Sequence, residues 1–174
     1  KSVPDTIYAQ IMKRLSGRGV LCIVDTSGSP FLHVLEEKPF LIKPSLRELE
    51  EIFHCPMKEG VLLSSMIALA QRGVRNVLVS CGEHGAYLLD EHGGFYYGKS
   101  PAGRVINTAG AGDAMVAGFL KGWLQTSDYA LAFKRGIAAG SASAFSRGMA
   151  DAEAVKKLYA KVHIEVMREP VMEG

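Results

Sequence analysis

The sequence is poor in the residues that build disulfide frameworks and metal centres. Its three cysteines, Cys22, Cys55 and Cys81, are odd in number and contain no C-x-x-C pair, so no disulfide framework is indicated. Two of them lie in apolar runs, where a buried reduced thiol is the simplest interpretation. This pattern fits a reducing, cytoplasmic compartment. The five histidines show no spacing typical of metal ligands.

Clusters of charge and long apolar stretches are also lacking. The formal net charge is +2, and Lys and Arg are scattered without a run or stripe. A nucleic-acid surface is therefore not indicated, whereas small anionic ligands remain compatible. The longest apolar stretches are too short to cross a bilayer, so no membrane partner is expected. A hydrophobic fraction of 48% and a charged fraction of 22% are those of one ordinary globular domain.

The order of the apolar segments predicts an α/β fold with a mainly parallel sheet. Continuous apolar runs at 20–24, 40–42 and 77–79 are typical of parallel strands covered on both faces. Segments with helical spacing separate them, which calls for right-handed crossovers and helices on the sheet faces. The predicted helices are one capped by Asp5 with Ile7, Ile11, Met12 and Leu15 on one face, a short one at 31–35, one capped by Ser45 and running through Phe53, and one at 61–72.

The second half of the chain has a different pattern. Short apolar runs at 86–89 and 95–97 flank a turn-forming D-E-H-G-G segment and predict an antiparallel hairpin. A helix follows the glycine-rich segment 107–113. The next helix, at 129–145, is rich in Gly and Ala and is expected to pack closely. A last helix is predicted at 151–162, and the tail after it is weakly patterned.

Three predicted strands end in a polar residue: Asp25, Lys43 and Ser80. Ligands of open α/β sheets bind at the carboxyl ends of the strands. The agreement of the three positions therefore favours a polar site at one edge of the sheet, although each residue alone is equally compatible with a strand that reaches solvent.

The four residues Gly110, Ala111, Gly112 and Asp113 form a device suited to anions. Two glycines permit positive φ and close approach of a phosphate, and amide N–H groups at a helix start point towards it. Asp113 can accept a proton from an attacking hydroxyl. For these four residues alone, a glycine turn with a helix-stabilising acid is the preferred explanation. The sequence has neither a Walker-type G-x-x-x-x-G-K-[ST] loop nor a dinucleotide-binding G-x-G-x-x-G.

The residues around this turn favour a functional site over a simple glycine turn. Residues 107–119, N-T-A-G-A-G-D-A-M-V-A-G-F, closely resemble the C-terminal signature of the PfkB (ribokinase-like) carbohydrate kinases. Residues 41–48, L-I-K-P-S-L-R-E, resemble the family's K-P-N-x-x-E segment, and residues 79–86, V-S-C-G-E-H-G-A, its S-x-G-x-x-G nucleotide loop. The blocks occur in the family's order, and the resemblance covers essentially the whole chain.

This resemblance implies a ribokinase-like three-layer α/β/α fold and phosphoryl transfer from ATP. Asp113 would be the catalytic base, and Gly110, Ala111 and Gly112 would form an anion hole with it.

The resemblance also implies a nucleotide site and a magnesium site. Lys43 would face the nucleotide phosphates, and Ser80, Gly82 and Gly85 would line the nucleotide pocket. Glu48 would organise Mg²⁺ and its water. Without the resemblance, Lys43 is equally well a solvated strand-end lysine, Glu48 a partner in a capping box with Ser45, and the other three a simple turn.

Ser45 departs from the family pattern, because it stands where the family has Asn. Its hydroxyl can still cap a helix, but it reaches less far towards a metal's water shell.

The family carries a substantial N-terminal region that supplies more of the sheet, most sugar contacts and a β lid. Residues 1–174 resemble only the C-terminal nucleotide-binding and catalytic part, so a fragment without those parts is expected. Its unpaired apolar sheet edge favours a homodimer or pairing with a missing N-terminal half.

Within the family, the L-I-K-P and L-R-E-L-E segments and Asn107 resemble the 1-phosphofructokinase and tagatose-6-phosphate kinase branch. This implies ATP-dependent phosphorylation of fructose 1-phosphate, fructose 6-phosphate or tagatose 6-phosphate. A ribokinase-like or nucleoside kinase is the alternative of the same class, and a nucleotide-binding fragment without catalysis is the alternative of a different class.

Overall fold

Three parallel strands organise the first half of the chain in the computed structural model, which describes residues 3–167. β1 (Ile23–Val24) pairs with β2 (Leu41–Ile42), and β2 pairs with β3 (Asn76–Ser80). Their accompanying helices are α1 (Ile7–Leu15), α2 (Ser29–Val34), a 3-10 helix (Leu35–Glu37), α3 (Leu46–Phe53) and α4 (Glu59–Gln71). The predicted parallel strands with intervening helices are confirmed.

The strand residues of this half are buried because they carry apolar side chains on both faces. Leu41, Ile42 and Val77 have no exposed surface. Asn76 is equally buried, and both polar atoms of its side-chain amide have a hydrogen-bond partner. Its Nδ2 donates to the carbonyl of Phe40 at 2.8 Å, and its Oδ1 accepts from the amide of Glu91 at 3.0 Å. The polar side chain therefore connects the start of β3 to two other segments of the core.

Three predictions for this half were wrong in detail. The N-cap of α1 is Thr6 rather than Asp5, whose carboxylate instead accepts a hydrogen bond from the Ser29 hydroxyl. Ile11 lies on the outer side of α1 with 48% of its surface exposed. β1 is limited to residues 23–24, because its pairing with the two-residue β2 sets its length.

The second half contains three strands, β4 (Ala86–Leu89), β5 (Phe95–Gly98) and β6 (Ile164–Met167). β4 and β5 are neighbours joined by the turn at 90–94, which confirms the predicted hairpin. β6 pairs antiparallel with β5, with Gly98 opposite Ile164. The tail that was predicted to be weakly patterned therefore contains a strand. Its pairing partner lies far away along the chain, so its short local pattern did not reveal it.

Three helices complete this half: α5 (Ala111–Thr126), α6 (Tyr129–Ala144) and α7 (Ala152–Tyr159). The predicted close packing of the small-residue helix is confirmed, because a Cβ added at Gly118 would lie 2.6 Å from the Cβ of Ala139 and 2.7 Å from the carbonyl oxygen of Arg135. α7 begins after Asp151, whose carboxylate accepts from the Ala154 amide at 2.7 Å. It ends at Tyr159, three residues before the predicted end.

The three cysteines are half-buried, so the expectation that two of them are buried was wrong. Across residues 3–167, none of the helices combines the length and apolar character needed to cross a bilayer.

Candidate active site

The glycine-rich segment before α5 forms a tight turn held by its own polar groups. Gly110 is the N-cap of α5 and has φ +75°, a left-handed conformation that favours glycine. The side-chain oxygen of Asn107 accepts from the amide of Ala109 at 3.0 Å. The amides of Ile106 and Asn107 both donate to the carbonyl of Ala144, at 2.8 and 3.1 Å. The turn is thereby tied to the end of α6.

The first turn of α5 presents amide groups and one carboxylate. The Ala111 amide donates to the carbonyl of Thr108 at 3.2 Å. Within residues 3–167, no side chain caps this helix. The amides of Gly112 and Asp113 are therefore the donors best placed for an anion, supported by the dipole of a 16-residue helix. Asp113 is exposed, and its position in the first turn puts a proton acceptor beside those donors.

A cavity of about 650 Å³ borders Gly110 and Asp113. Its lining includes small residues of two helices and two cationic side chains, namely Ala114, Ala117, Gly118, Ala139, Lys121 and Arg135. The small side chains leave open space beside the turn, so a ligand held by the first turn of α5 has room next to it.

Gly140 of α6 also positions the turn, although sequence reasoning treated it only as one of many small residues. A Cβ added at Gly140 would lie 3.1 Å from the carbonyl oxygen of Ala111 and 3.2 Å from the Cβ of Met115. The run of Gly and Ala in α6 was a signal of close approach, but it did not reveal which residue contacts the start of α5.

The segment from Ser80 to Gly85 forms a second tight loop. Ser80 ends β3 and is half-buried. The Cys81 amide donates to the Gly85 carbonyl at 2.8 Å, and the Gly85 amide donates to the Gly82 carbonyl at 3.2 Å. Gly85 has φ +102°, and a Cβ there would overlap the backbone carbonyl of Gly98. Glycine is required at this position for both reasons, so the fold alone explains its presence.

Two titratable groups beside this loop are shifted towards their neutral forms. Burial raises the pKa of the Cys81 thiol to about 11. Burial, followed by the negative charges of Glu165 and Cys81, raises the pKa of Tyr97. The Tyr97 hydroxyl donates to the His84 carbonyl at 2.8 Å and so holds the loop from the β5 side.

Lys43 follows β2 and is buried, with 7% of its surface exposed. Its Nζ lies 3.3 Å from the Oδ1 of Asp25, whose side chain is 35% exposed. The alternative of a solvated strand-end lysine is therefore wrong. The structure thus brings two of the three strand-end residues, Asp25 and Lys43, together as an ion pair.

Glu48 and Ser45 form the predicted capping box of α3. The Ser45 hydroxyl accepts from the Glu48 amide at 3.2 Å, and the Glu48 Oε2 accepts from the Ser45 amide at 2.7 Å and from its hydroxyl at 2.8 Å. Across the described part of the chain, no three His, Cys, Asp or Glu side chains gather as a metal site. Mg²⁺ at nucleotide sites commonly takes one or two carboxylates, with waters and phosphates as its other ligands. A single carboxylate at Glu48 is compatible with that chemistry.

The candidate residues fall into two compact units. One unit comprises Lys1–Val79 with Leu89–Gly93 and contains Lys43 and Glu48. The other comprises Ser80–Leu88 with Gly94–Gly174 and contains the loop at 80–85 and the turn at 110–113. Within the first unit the structure brings Lys43 to Asp25, and within the second it brings Asp113 to the open amides of α5.

The family model described as "pfkB family carbohydrate kinase" matches residues 1–155, a range that includes the turn at 110–113 and the Lys43 segment. The chain belongs to the pfkB family. It is 34% identical over 166 residues to the 1-phosphofructokinase of Bacillus subtilis, covering 94% of this chain and 54% of that relative. It is 31% identical over 176 residues to the D-tagatose-1-phosphate kinase of Bacillus licheniformis, covering 94% of this chain and 54% of that relative.

Solved structures confirm the ribokinase-like fold of this pfkB family chain. Arabidopsis thaliana ribokinase complexed with ribose and ATP superimposes with a TM-score of 0.78 at 26% identity, covering 90% of this chain and 53% of that chain. The chain thus spans about half the length of the relatives that it matches.

Proposed function

We propose that residues 1–174 are the nucleotide-binding and catalytic C-terminal part of an enzyme that transfers a phosphoryl group from ATP to a hydroxyl of a sugar phosphate. One observation carries this proposal: the uncapped first turn of α5 presents the amides of Gly112 and Asp113 together with the exposed Asp113 carboxylate. Membership of the pfkB family and the cavity beside this turn support the same function.

In the proposed reaction, Asp113 accepts the proton of the attacking sugar hydroxyl. The hydroxyl oxygen forms a bond to the γ-phosphorus of ATP while the bond from that phosphorus to the bridging oxygen breaks, and ADP leaves. The Gly112 and Asp113 amides, with Gly110 permitting the turn, stabilise negative charge on the transferring group. Ala111 contributes to the shape of this anion hole, since its own amide is engaged by Thr108.

Other candidate residues would contact the nucleotide. Lys43 would pair with its phosphates, and Ser80, Gly82 and Gly85 would line its pocket. Glu48 is the residue that would hold Mg²⁺, directly or through water. When bound, this ion would neutralise charge on the phosphates. Since Glu48 Oε2 is already engaged by Ser45, its Oε1 is the better placed oxygen for this role.

The proposed acceptors are fructose 1-phosphate, fructose 6-phosphate and tagatose 6-phosphate, and the name of the Bacillus licheniformis relative adds D-tagatose 1-phosphate. The reaction would take place in the cytoplasm. A missing N-terminal half would supply the remaining sugar contacts, and a homodimer through the unpaired sheet edge is the alternative association.

Calorimetric titration of Mg·ATP into the chain tests the site. We expect Gly112→Val to weaken binding strongly because its side chain crowds the anion turn. Asp113→Asn should leave the dissociation constant within about threefold, but lower phosphoryl transfer by the longer protein by about 10²- to 10⁴-fold, the usual contribution of a general base. Asp128→Asn is the matched control, since it alters an exposed N-cap acid of α6 and Asn also caps helices.

Unchanged turnover in Asp113→Asn would show that Asp113 is not the base. A folded chain that binds no Mg·ATP, or that binds it equally well with Gly112→Val, would refute the proposed anion site.

A further inference from the structure

Asp25 is a strand-end acid to which the proposed reaction assigns no role. We infer that Asp25 is a positioning residue that holds the ammonium group of Lys43 in place for the nucleotide phosphates. This inference rests on the proposed function. Its basis is the ion pair between Lys43 Nζ and Asp25 Oδ1 at 3.3 Å.

The sheet register brings the two residues together. Val24 is opposite Ile42 in the parallel pair of β1 and β2, so Asp25 and Lys43 are the next residues at the same carboxyl edge. The Lys43 amide also donates to the Val24 carbonyl at 3.4 Å. The backbones of both residues are therefore held by the sheet, and the side chains meet at the edge where ligands of parallel sheets bind.

Because Lys43 is buried, its positive charge depends on the ion pair with Asp25. A lysine with 8% of its side chain exposed needs a partner for its charge. Its side chain is long and flexible, and a carboxylate oxygen 3.3 Å from Nζ restricts the positions that the ammonium group adopts. Asp25 is the more exposed member at 35%, so solvent and ligands reach the pair from its side.

Two roles for Asp25 predict opposite changes in ATP affinity when its negative charge is removed. If Asp25 is only a counter-ion, it competes with phosphate for Lys43 and repels it, so Asp25→Asn should tighten ATP binding. If Asp25 positions the ammonium group, Asp25→Asn should loosen Lys43 and weaken ATP binding despite removing a negative charge.

The experiment is a double-mutant cycle measured by calorimetric titration of Mg·ATP into the wild type, Asp25→Asn, Lys43→Met and the double variant. We expect Asp25→Asn to weaken binding about tenfold or more, in keeping with the loss of the charged partner of a buried lysine. In the Lys43→Met background, the same change should alter affinity less than about twofold, because contacting residues couple. Asp25→Glu retains the charge and should lose less than Asp25→Asn.

Glu91→Gln is the matched control. It neutralises the carboxylate of another partly buried ion pair, with Arg75 at 2.6 Å, in the same unit. Comparable losses of thermal stability for Glu91→Gln and Asp25→Asn, with weaker ATP binding for Asp25→Asn alone, would separate positioning from general destabilisation.

Three results would overturn the inference alone while ATP binding by the wild type stands: unchanged or tighter binding by Asp25→Asn, an equal loss in the Lys43→Met background, or an equal loss with Glu91→Gln. Failure of the folded wild type to bind Mg·ATP would instead overturn the proposed function, and the inference with it.

Discussion

Replacing Gly118 by Ala tests the helix contact that shapes the candidate site. Gly118 lies in the middle of α5, where Ala is the better helix former by about 1 kcal/mol. The added Cβ would lie 2.6 Å from the Cβ of Ala139 and 2.7 Å from the Arg135 carbonyl oxygen. Optimal carbon contacts are about 3.5–4.0 Å, so α5 and α6 would have to separate by roughly 1 Å.

Steric overlap should outweigh helix propensity here. Overpacking typically costs about 1–3 kcal/mol, and a backbone oxygen cannot swing aside as a flexible side chain can, which favours the upper part of that range. After the gain in propensity, we expect Gly118→Ala to lower the free energy of unfolding by about 1–2 kcal/mol. For a chain of this size, such a loss lowers the melting temperature by about 3–6 °C.

Urea unfolding measures this difference. The single tryptophan, Trp123, lies on α5, so its fluorescence reports directly on the helix that carries the substitution. Far-UV circular dichroism reports on the whole chain, and coincident transitions would support a two-state treatment. The midpoint should fall by about 0.5–1 M if the slope is about 2 kcal/mol per molar urea.

Gly60→Ala is the matched control. Gly60 lies in the first turn of α4, and a Cβ there would meet nothing within 4 Å. The same substitution should therefore stabilise the chain by about 0.5 kcal/mol through propensity alone. If Gly118→Ala were as stable as the wild type, or stabilised it as Gly60→Ala does, the steric argument for the contact between α5 and α6 would be refuted.

The capping box and the Cys81 thiol provide two further tests. Ser45→Ala should cost about 1 kcal/mol in urea unfolding, whereas Ser45→Asn should stay within about 0.5 kcal/mol because Asn also caps; equal losses would contradict the cap. Burial raises the pKa of Cys81 from 9.0 to about 11, so this thiol ionises at a lower pH in the unfolded chain than in the folded chain. The contribution of the neutral thiol to the free energy of unfolding is therefore complete below pH 9 and is lost as the pH rises towards 11. Partial exposure reduces the loss to about 1–2 kcal/mol. Cys81→Ala should flatten this part of the pH profile, and an unchanged slope would exclude the thiol as its source.

Local signals in the sequence predicted much of the fold. The apolar runs at 40–42 and 77–79 predicted buried strands, and Ser45 with Glu48 predicted a capping box that the structure contains. The candidate residues of the turn at 110–113 were visible as a motif, which lies within the range that the family model matches.

Features that depend on distant parts of the chain were not predicted. β6 at residues 164–167 has too few residues for a clear pattern, and it is a strand because β5 provides its hydrogen-bond partners. Asp5 was predicted as a cap from its position alone, but its carboxylate bonds to Ser29. Ala111 was predicted to be part of the anion hole, but its amide donates to the carbonyl of Thr108 instead.

Local sequence was sufficient to predict the helices with strong caps, the buried strands and the chemical groups available to a site, because these depend on neighbouring residues along the chain. The pairing of Asp25 with Lys43 and the contacts of Gly118 and Gly140 with the facing helix became visible only in the folded chain. Those contacts depend on strand register and on the approach of two backbones, and neither quantity is set by local propensity.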